Sequence, residues 1–190
     1  MQNTLNSRAS FKAVHPAFKH FTRQFTALID TGAQEAEILS FGGDLLAKLV
    51  AQDDWLEPAH AQTHPEYYQQ YILYCDPKSR FCVVSFVWGP GQETPVHNHT
   101  VWGLLGQLRG QEISTNYDTD LNEIGEDILN PGDVQAVSPT IGDIHKVRNG
   151  HASTSISVHV YGADIGTVER SVFYPETGKH KDFISGYSNV

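Results

Sequence analysis

The chain has 190 residues, 39% hydrophobic and 18% charged, an ordinary globular composition long enough to bury a substantial core and giving little reason to expect two domains. Its formal net charge of −9, with no offsetting Lys/Arg cluster, excludes nucleic acid and an anionic membrane as general partners. No apolar stretch approaches a membrane span, and the first sixteen residues lack the apolar centre of a signal peptide. The cysteines, Cys75 and Cys82, are spaced neither as a redox pair nor as half a zinc knuckle. Cys82, inside FCVVSFVW, reads as a small buried hydrophobe. A soluble, cytoplasmic protein of a reducing compartment is expected.

In chain order, residues 1–62 read as a helical cap. Phe18, Phe21, Phe25, Leu28 and Ile29 recur at three- and four-residue intervals, with Pro16 near the start and Asp30-Thr31-Gly32 closing a helix. A second helix follows through Ile38, Leu39, Leu45, Leu46, Leu49 and Val50, weakened in its middle by Gly42-Gly43. From about Tyr67 the pattern becomes that of short strands cut by Gly, Pro, Asn and Asp: YYQQYILYC, FCVVSFVW, VWGLLGQLRG, QEISTNY, VQAVS and STSISVHVYG. Many short strands at this spacing indicate a mainly β fold, a sandwich or closed barrel of the double-sheet type that includes cupins. With the motifs that follow, the expectation is a cupin-type β-barrel (double-stranded β-helix, or jelly roll) over 65–175. Residues 176–190 read as a C-terminal tail.

Three of the ten histidines fall in a pattern. His97-Asn98-His99 ends a strand, where residues i and i+2 project from one face about 7 Å apart and can converge on one ion. A third ligand must come from a neighbouring strand, and His145, after the polar turn from Pro139 to Asp143, is the candidate. Gly91, His97, His99, Gly103 and Gly110 resemble the first cupin motif, and Pro139, Gly142, His145 and Asn149 the second. In most cupins a glutamate, the fourth metal ligand, stands where this chain has Gly103. Three neutral imidazoles leave a divalent ion its full charge and favour anionic ligands, but imidazole suits iron, zinc, copper and nickel alike. Of the other histidines, His15, His20, His60, His64, His151 and His180 lack spaced partners.

The stretch from Ser155 to Tyr161 alternates strictly. Ile156, Val158 and Val160 share one face; Ser157, His159 and Tyr161 share the other. That polar face is either an exposed strand surface or a hydrogen-bonded relay ending at Tyr161 beside the metal.

Together VHNHTVWGLLGQLRG (96–110), PGD (131–133), IGDIHKVRN (141–149) and SVHVYG (157–162) resemble the cysteine dioxygenase family of thiol dioxygenases, and more closely its bacterial branch, which includes 3-mercaptopropionate dioxygenases. The resemblance spans roughly residues 65 to 175. It implies iron(II) on His97, His99 and His145, with Ser157, His159 and Tyr161 as an outer triad and Tyr161 near the bound oxygen and substrate. In the animal enzymes a cysteine at the place of Gly103 is cross-linked to this tyrosine, so the cross-link is expected to be absent here. Cysteine-specific members carry an arginine on the strand before the HxH pair; here Gln70, or Gln69 by a one-residue slip, stands there. This resembles the glutamine-type branch, in which an arginine near the C-terminus holds the substrate carboxylate, and Arg170 is the match. Read without the resemblance, Arg170 is a solvated charge paired with Glu169 or another acid, and Trp88 and Trp102 are core or pocket-wall aromatics.

The expected activity is therefore iron(II)-dependent oxidation of a small thiol carboxylate, 3-mercaptopropionate or L-cysteine, to its sulfinate with dioxygen, by a monomer or weak homo-oligomer with no organic cofactor. Arg170, helped by Gln70 or Tyr161, would hold the carboxylate. The alternatives are a cupin dioxygenase acting on carbon and a non-catalytic cupin binding zinc or a small molecule.

Overall fold

The computed structural model describes residues 14–190. The first part of the expected helical cap, 1–13, lies outside the described residues. Helix α1 (Pro16–Asp30) opens with its proline in the first turn and with His15 Nδ1 accepting the Ala17 amide at 3.3 Å. Helix α2 (Glu35–Val50) runs unbroken through Gly42-Gly43. A Cβ at Gly42 would lie 2.8 Å from the Phe25 ring, so the glycine lets the two helices close on one another. The helical cap ends at α2: residues 51–62 are irregular apart from one 3₁₀ turn at Pro58–His60.

Eleven strands follow: β1 (Gln69–Cys75), β2 (Cys82–Trp88), β3 (Val96–His97), β4 (Gly103–Arg109), β5 (Glu112–Tyr117), β6 (Glu123–Leu129), β7 (Val134–Val137), β8 (Ile144–Asn149), β9 (Ser155–Tyr161), β10 (Arg170–Tyr174) and β11 (Lys179–Phe183). They form two antiparallel sheets, in the orders β1-β2-β9-β4-β7 and β11-β10-β3-β8-β5-β6, the jelly-roll arrangement expected from the strand spacing and the motifs together. Two strands depart from the expectation. β6, with every residue but Leu129 exposed, carries no hydrophobic alternation to mark it. β11 falls in the stretch expected as a tail, yet it pairs with β10 from Arg170↔Phe183 to Tyr174↔Lys179.

The five-stranded sheet is buried on both faces, and this places the site. Val83 and Val87 of β2 and Ile156, Val158 and Val160 of β9 pack under the helices against Phe18, Phe25 and Leu46. The opposite face, with Cys82, Val84, Phe86, Trp88 and Tyr161, looks into the molecule. Each large side chain so buried contributes about 1.5–3 kcal/mol. The polar row Ser157, His159, Tyr161 is thus interior, and the exposed-surface alternative is excluded: all of β9 is buried. Among the described residues no helix is long and apolar enough to cross a membrane.

Candidate metal centre

His97 and His145 are cross-strand partners in β3 and β8, and His99 follows just past the end of β3. Asn98, between them, turns away and accepts the Ser171 amide at 2.8 Å. The three imidazoles meet with ring centroids 4.8–4.9 Å apart, and their available ligand atoms all lie within 4.8 Å of one another. All three rings are buried.

Each ring is held by its δ nitrogen: His97 Nδ1 lies 3.0 Å from the Pro95 carbonyl, His99 Nδ1 2.9 Å from Asp143 Oδ1, and His145 Nδ1 2.9 Å from Ser114 Oγ. The ε nitrogens are left for the centre, and His99 Nε2 is buried with no hydrogen-bond partner. Burial, and then the neighbouring rings, depress the histidine pKa values, His97 to about 3 and His145 well below its ordinary value; burial likewise lowers His99. Three neutral imidazoles with a partnerless buried nitrogen fit a divalent transition ion, which this cluster can hold. Asp143 was not legible as part of the site. Burial alone would raise its carboxyl, but the bond to His99 and the amides of His99 and Thr100 hold it below the usual range.

At Gly103 the ligand set stops at three for a steric reason. A Cβ built there would meet Tyr161 Cδ1 and Cε1 at 2.9 Å and Val137 at 3.0 Å. The tyrosine ring, stacked on His99 with centroids 5.3 Å apart, takes the space through which a longer side chain would reach an ion held by the histidines. Burial pushes the Tyr161 phenol well above its ordinary pKa and keeps it neutral.

From Tyr161 a chain of hydrogen bonds runs inward. Tyr161 Oη lies 2.8 Å from His159 Nδ1, and His159 Nε2 lies 2.8 Å from Ser157 Oγ. The chain continues to a residue the sequence did not single out: Ser157 Oγ donates to Glu112 Oε2 at 2.6 Å. Trp88 Nε1 donates to the same hydroxyl at 3.2 Å, and Phe86 stacks on His159 with centroids 4.4 Å apart.

A cavity of about 180 Å³ opens beside the cluster, lined by His97, His145, His159, Tyr161, Gln70 and Arg170 among others. Gln70 faces it because its β2 partner, Phe86, does; Gln69 pairs with Val87, which packs under the helices, and is not part of the lining. The Gln70 amide donates to the Gly186 carbonyl. Arg170 is not a solvated charge. It is 5% exposed, lies over the Phe183 ring at 4.7 Å, and donates from Nη2 to Ser185 Oγ at 2.6 Å. Among the described residues no acid pairs with it, Glu169 being exposed, and its Nε is buried without a partner. Tyr68, also unforeseen, lines the cavity, with its ring 4.6 Å from that of Trp88. Trp102 does not line it; its indole backs onto Gly162.

No protein-family model matches the chain. Similar solved structures include a protein with a double-stranded beta-helix domain from Klebsiella pneumoniae (15% identity, TM-score 0.48, 69% of this chain and 97% of that one). A cupin superfamily protein from Desulfitobacterium hafniense is similar at 18% identity (TM-score 0.44, covering 60% and 94%). Oxalate oxidase in complex with the substrate analogue glycolate is similar at 12% identity (TM-score 0.47, covering 57% and 58%). They lend no residue role to this chain.

Proposed function

We propose that this chain is an iron(II)-dependent thiol dioxygenase that converts a small thiol carboxylate, 3-mercaptopropionate or L-cysteine, to its sulfinate. The observation that carries the reading is a juxtaposition at one small cavity: a cluster of three neutral imidazoles with no acidic ligand, of which His97 and His145 line the cavity, and a buried arginine with no acidic partner among the described residues. Iron(II) held by His97, His99 and His145 would supply the redox chemistry that adds dioxygen to sulfur and would draw the thiol toward its anion.

The chain's own groups do the rest. A buried guanidinium lacking a counter-ion costs free energy until an anion arrives, and Arg170 offers a carboxylate planar, charge-assisted donors. Gln70 and Tyr161 line the same cavity from the five-stranded sheet, whereas Arg170 reaches it from the six-stranded one. The cavity volume admits a ligand of only a few heavy atoms, with its two ends held by the histidine centre and by Arg170. Holding the sulfur beside the reacting centre supplies much of the rate by proximity. Dioxygenation at carbon with a fourth, carboxylate ligand is disfavoured, because the Tyr161 ring fills the approach.

The test is oxygen uptake by iron-loaded protein with 3-mercaptopropionate, cysteine and cysteamine, which lacks the carboxylate. Uptake with the carboxylated thiols is expected. Arg170→Ala should raise their KM about 10- to 100-fold while changing cysteamine little, as the loss of a charge-assisted contact predicts. No uptake with any thiol, or zinc retained with no turnover, overturns the reading.

A further inference from the structure

Glu112 is an acid sealed inside the molecule at the start of β5, with no exposed surface. Its cross-strand neighbours, Asn149 and Leu129, are uncharged, and no Lys or Arg pairs with it among the described residues. The ionisable group facing it is His159, whose Nε2 lies 3.8 Å from Glu112 Oε2. Its second oxygen, Oε1, is buried without a partner. An uncompensated buried acid is costly, so it adds nothing to stability that an apolar residue of similar size would not.

With Glu112 ionised, the donors and acceptors around it permit one proton order. A carboxylate only accepts, so the 2.6 Å contact between Ser157 Oγ and Glu112 Oε2 is then a hydroxyl donating to the acid. Ser157 therefore spends its proton on Glu112, and its lone pairs accept from the Trp88 indole and from His159 Nε2–H. His159 is then bare at Nδ1, where it accepts the Tyr161 hydroxyl at 2.8 Å. The remaining lone pairs of Tyr161 are left to the cavity it lines.

We propose that Glu112 is the terminal proton acceptor of this cavity, taking the proton that a bound thiol gives up at Tyr161. The thiol S–H bond breaks and its proton joins Tyr161 Oη; the tyrosine proton moves to His159 Nδ1, the Nε2 proton to Ser157 Oγ, and the serine proton to Glu112 Oε2. Thiol and carboxylate become thiolate and carboxylic acid, each intermediate group losing one proton and gaining one, with nothing oxidised or reduced. Afterwards the chain points the other way, and the Tyr161 hydroxyl donates into the cavity. Glu112 touches neither ligand nor ion, so it is a positioning residue that acts through its neighbours. The proton order stands on the geometry with Glu112 ionised; the thiol as proton source rests on the proposed function.

Two measurements separate them. In metal-free protein, ring nitrogen NMR of His159, assigned by loss of the signal in His159→Gln, should show the proton on Nε2 and none on Nδ1. The reverse tautomer overturns the proton order. In protein loaded with redox-silent zinc, calorimetry of 3-mercaptopropionate binding in buffers of different ionisation heat counts the protons released. Glu112→Gln should release about one proton more per thiol bound than the unaltered chain. Ser157→Ala, which breaks the chain but keeps the acid, should do the same and decides the matter if the first variant does not fold. Equal proton counts in all three overturn Glu112 as acceptor. Absence of thiol binding to the unaltered chain overturns the thiol, leaving the ring nitrogens to judge Glu112.

Discussion

Asp143 lies outside the histidine cluster, yet it orients one of the rings, accepting from His99 Nδ1 and from two consecutive backbone amides. Carboxylates in this position fix ring orientation and raise ligand basicity. Asp143→Ala should lower divalent-metal affinity about 10- to 100-fold with the fold intact, read by competition against a chelating indicator. Gly103 illustrates the converse, a residue whose role is to be absent. Gly103→Ala would drive a methyl into Tyr161 and Val137 and should cost about 1–3 kcal/mol, lowering Tm by about 5 °C and displacing the tyrosine. An unchanged Tm would show that the ring yields easily. At this scale His97, His99 and His145 were legible because their spacing is local. Glu112 and Asp143 were not: an acid opening a strand and an acid in a turn look like solvated charges until another strand closes over them.

The strands of the five-stranded sheet divide their labour by face. Even residues of β9 support the helices on one side and odd residues build the hydrogen-bonded chain on the other, a division that period-two alternation makes readable from sequence. The last residues were not readable in this way. Beyond β11 the chain runs back along the free edge of β1. Ser188 N donates to the Gln70 carbonyl at 2.8 Å, and Asn189 exchanges bonds with both backbone groups of Ile72 at 2.9 and 3.0 Å. The same segment supplies the Ser185 hydroxyl to Arg170. Truncation after Phe183 should therefore preserve the far-ultraviolet CD spectrum, loosen β1 in hydrogen exchange, and raise KM for carboxylated thiols about tenfold. Unchanged KM would show that Ser185 does not position the arginine.

For the molecule as a whole, the buried histidine cluster ties stability to pH. In the folded, metal-free protein His97, His99 and His145 have pKa values below the unfolded value of about 6.5, because burial disfavours their charged forms. Below that pH the unfolded chain binds more protons than the folded one, so stability falls with acidification, for His97 down toward about 3. Denaturation of metal-free protein should show stability level above about pH 7 and declining below about pH 6.5, more gently in His97→Gln. A divalent ion, binding only the folded form, should raise Tm at neutral pH. A flat profile would show that the cluster is open to water. Sequence by itself determined what rests on neighbours along the chain: two helices, strand alternation, the HxH pair, the Ser-x-His-x-Tyr row. Tertiary structure alone decided what depends on which strand lies beside which. It buried Arg170 away from every acid among the described residues, set Tyr161 against Gly103, turned Gln70 inward and carried the relay on to Glu112. Burial and partnership are properties of pairs distant in sequence, and a local pattern holds no record of them.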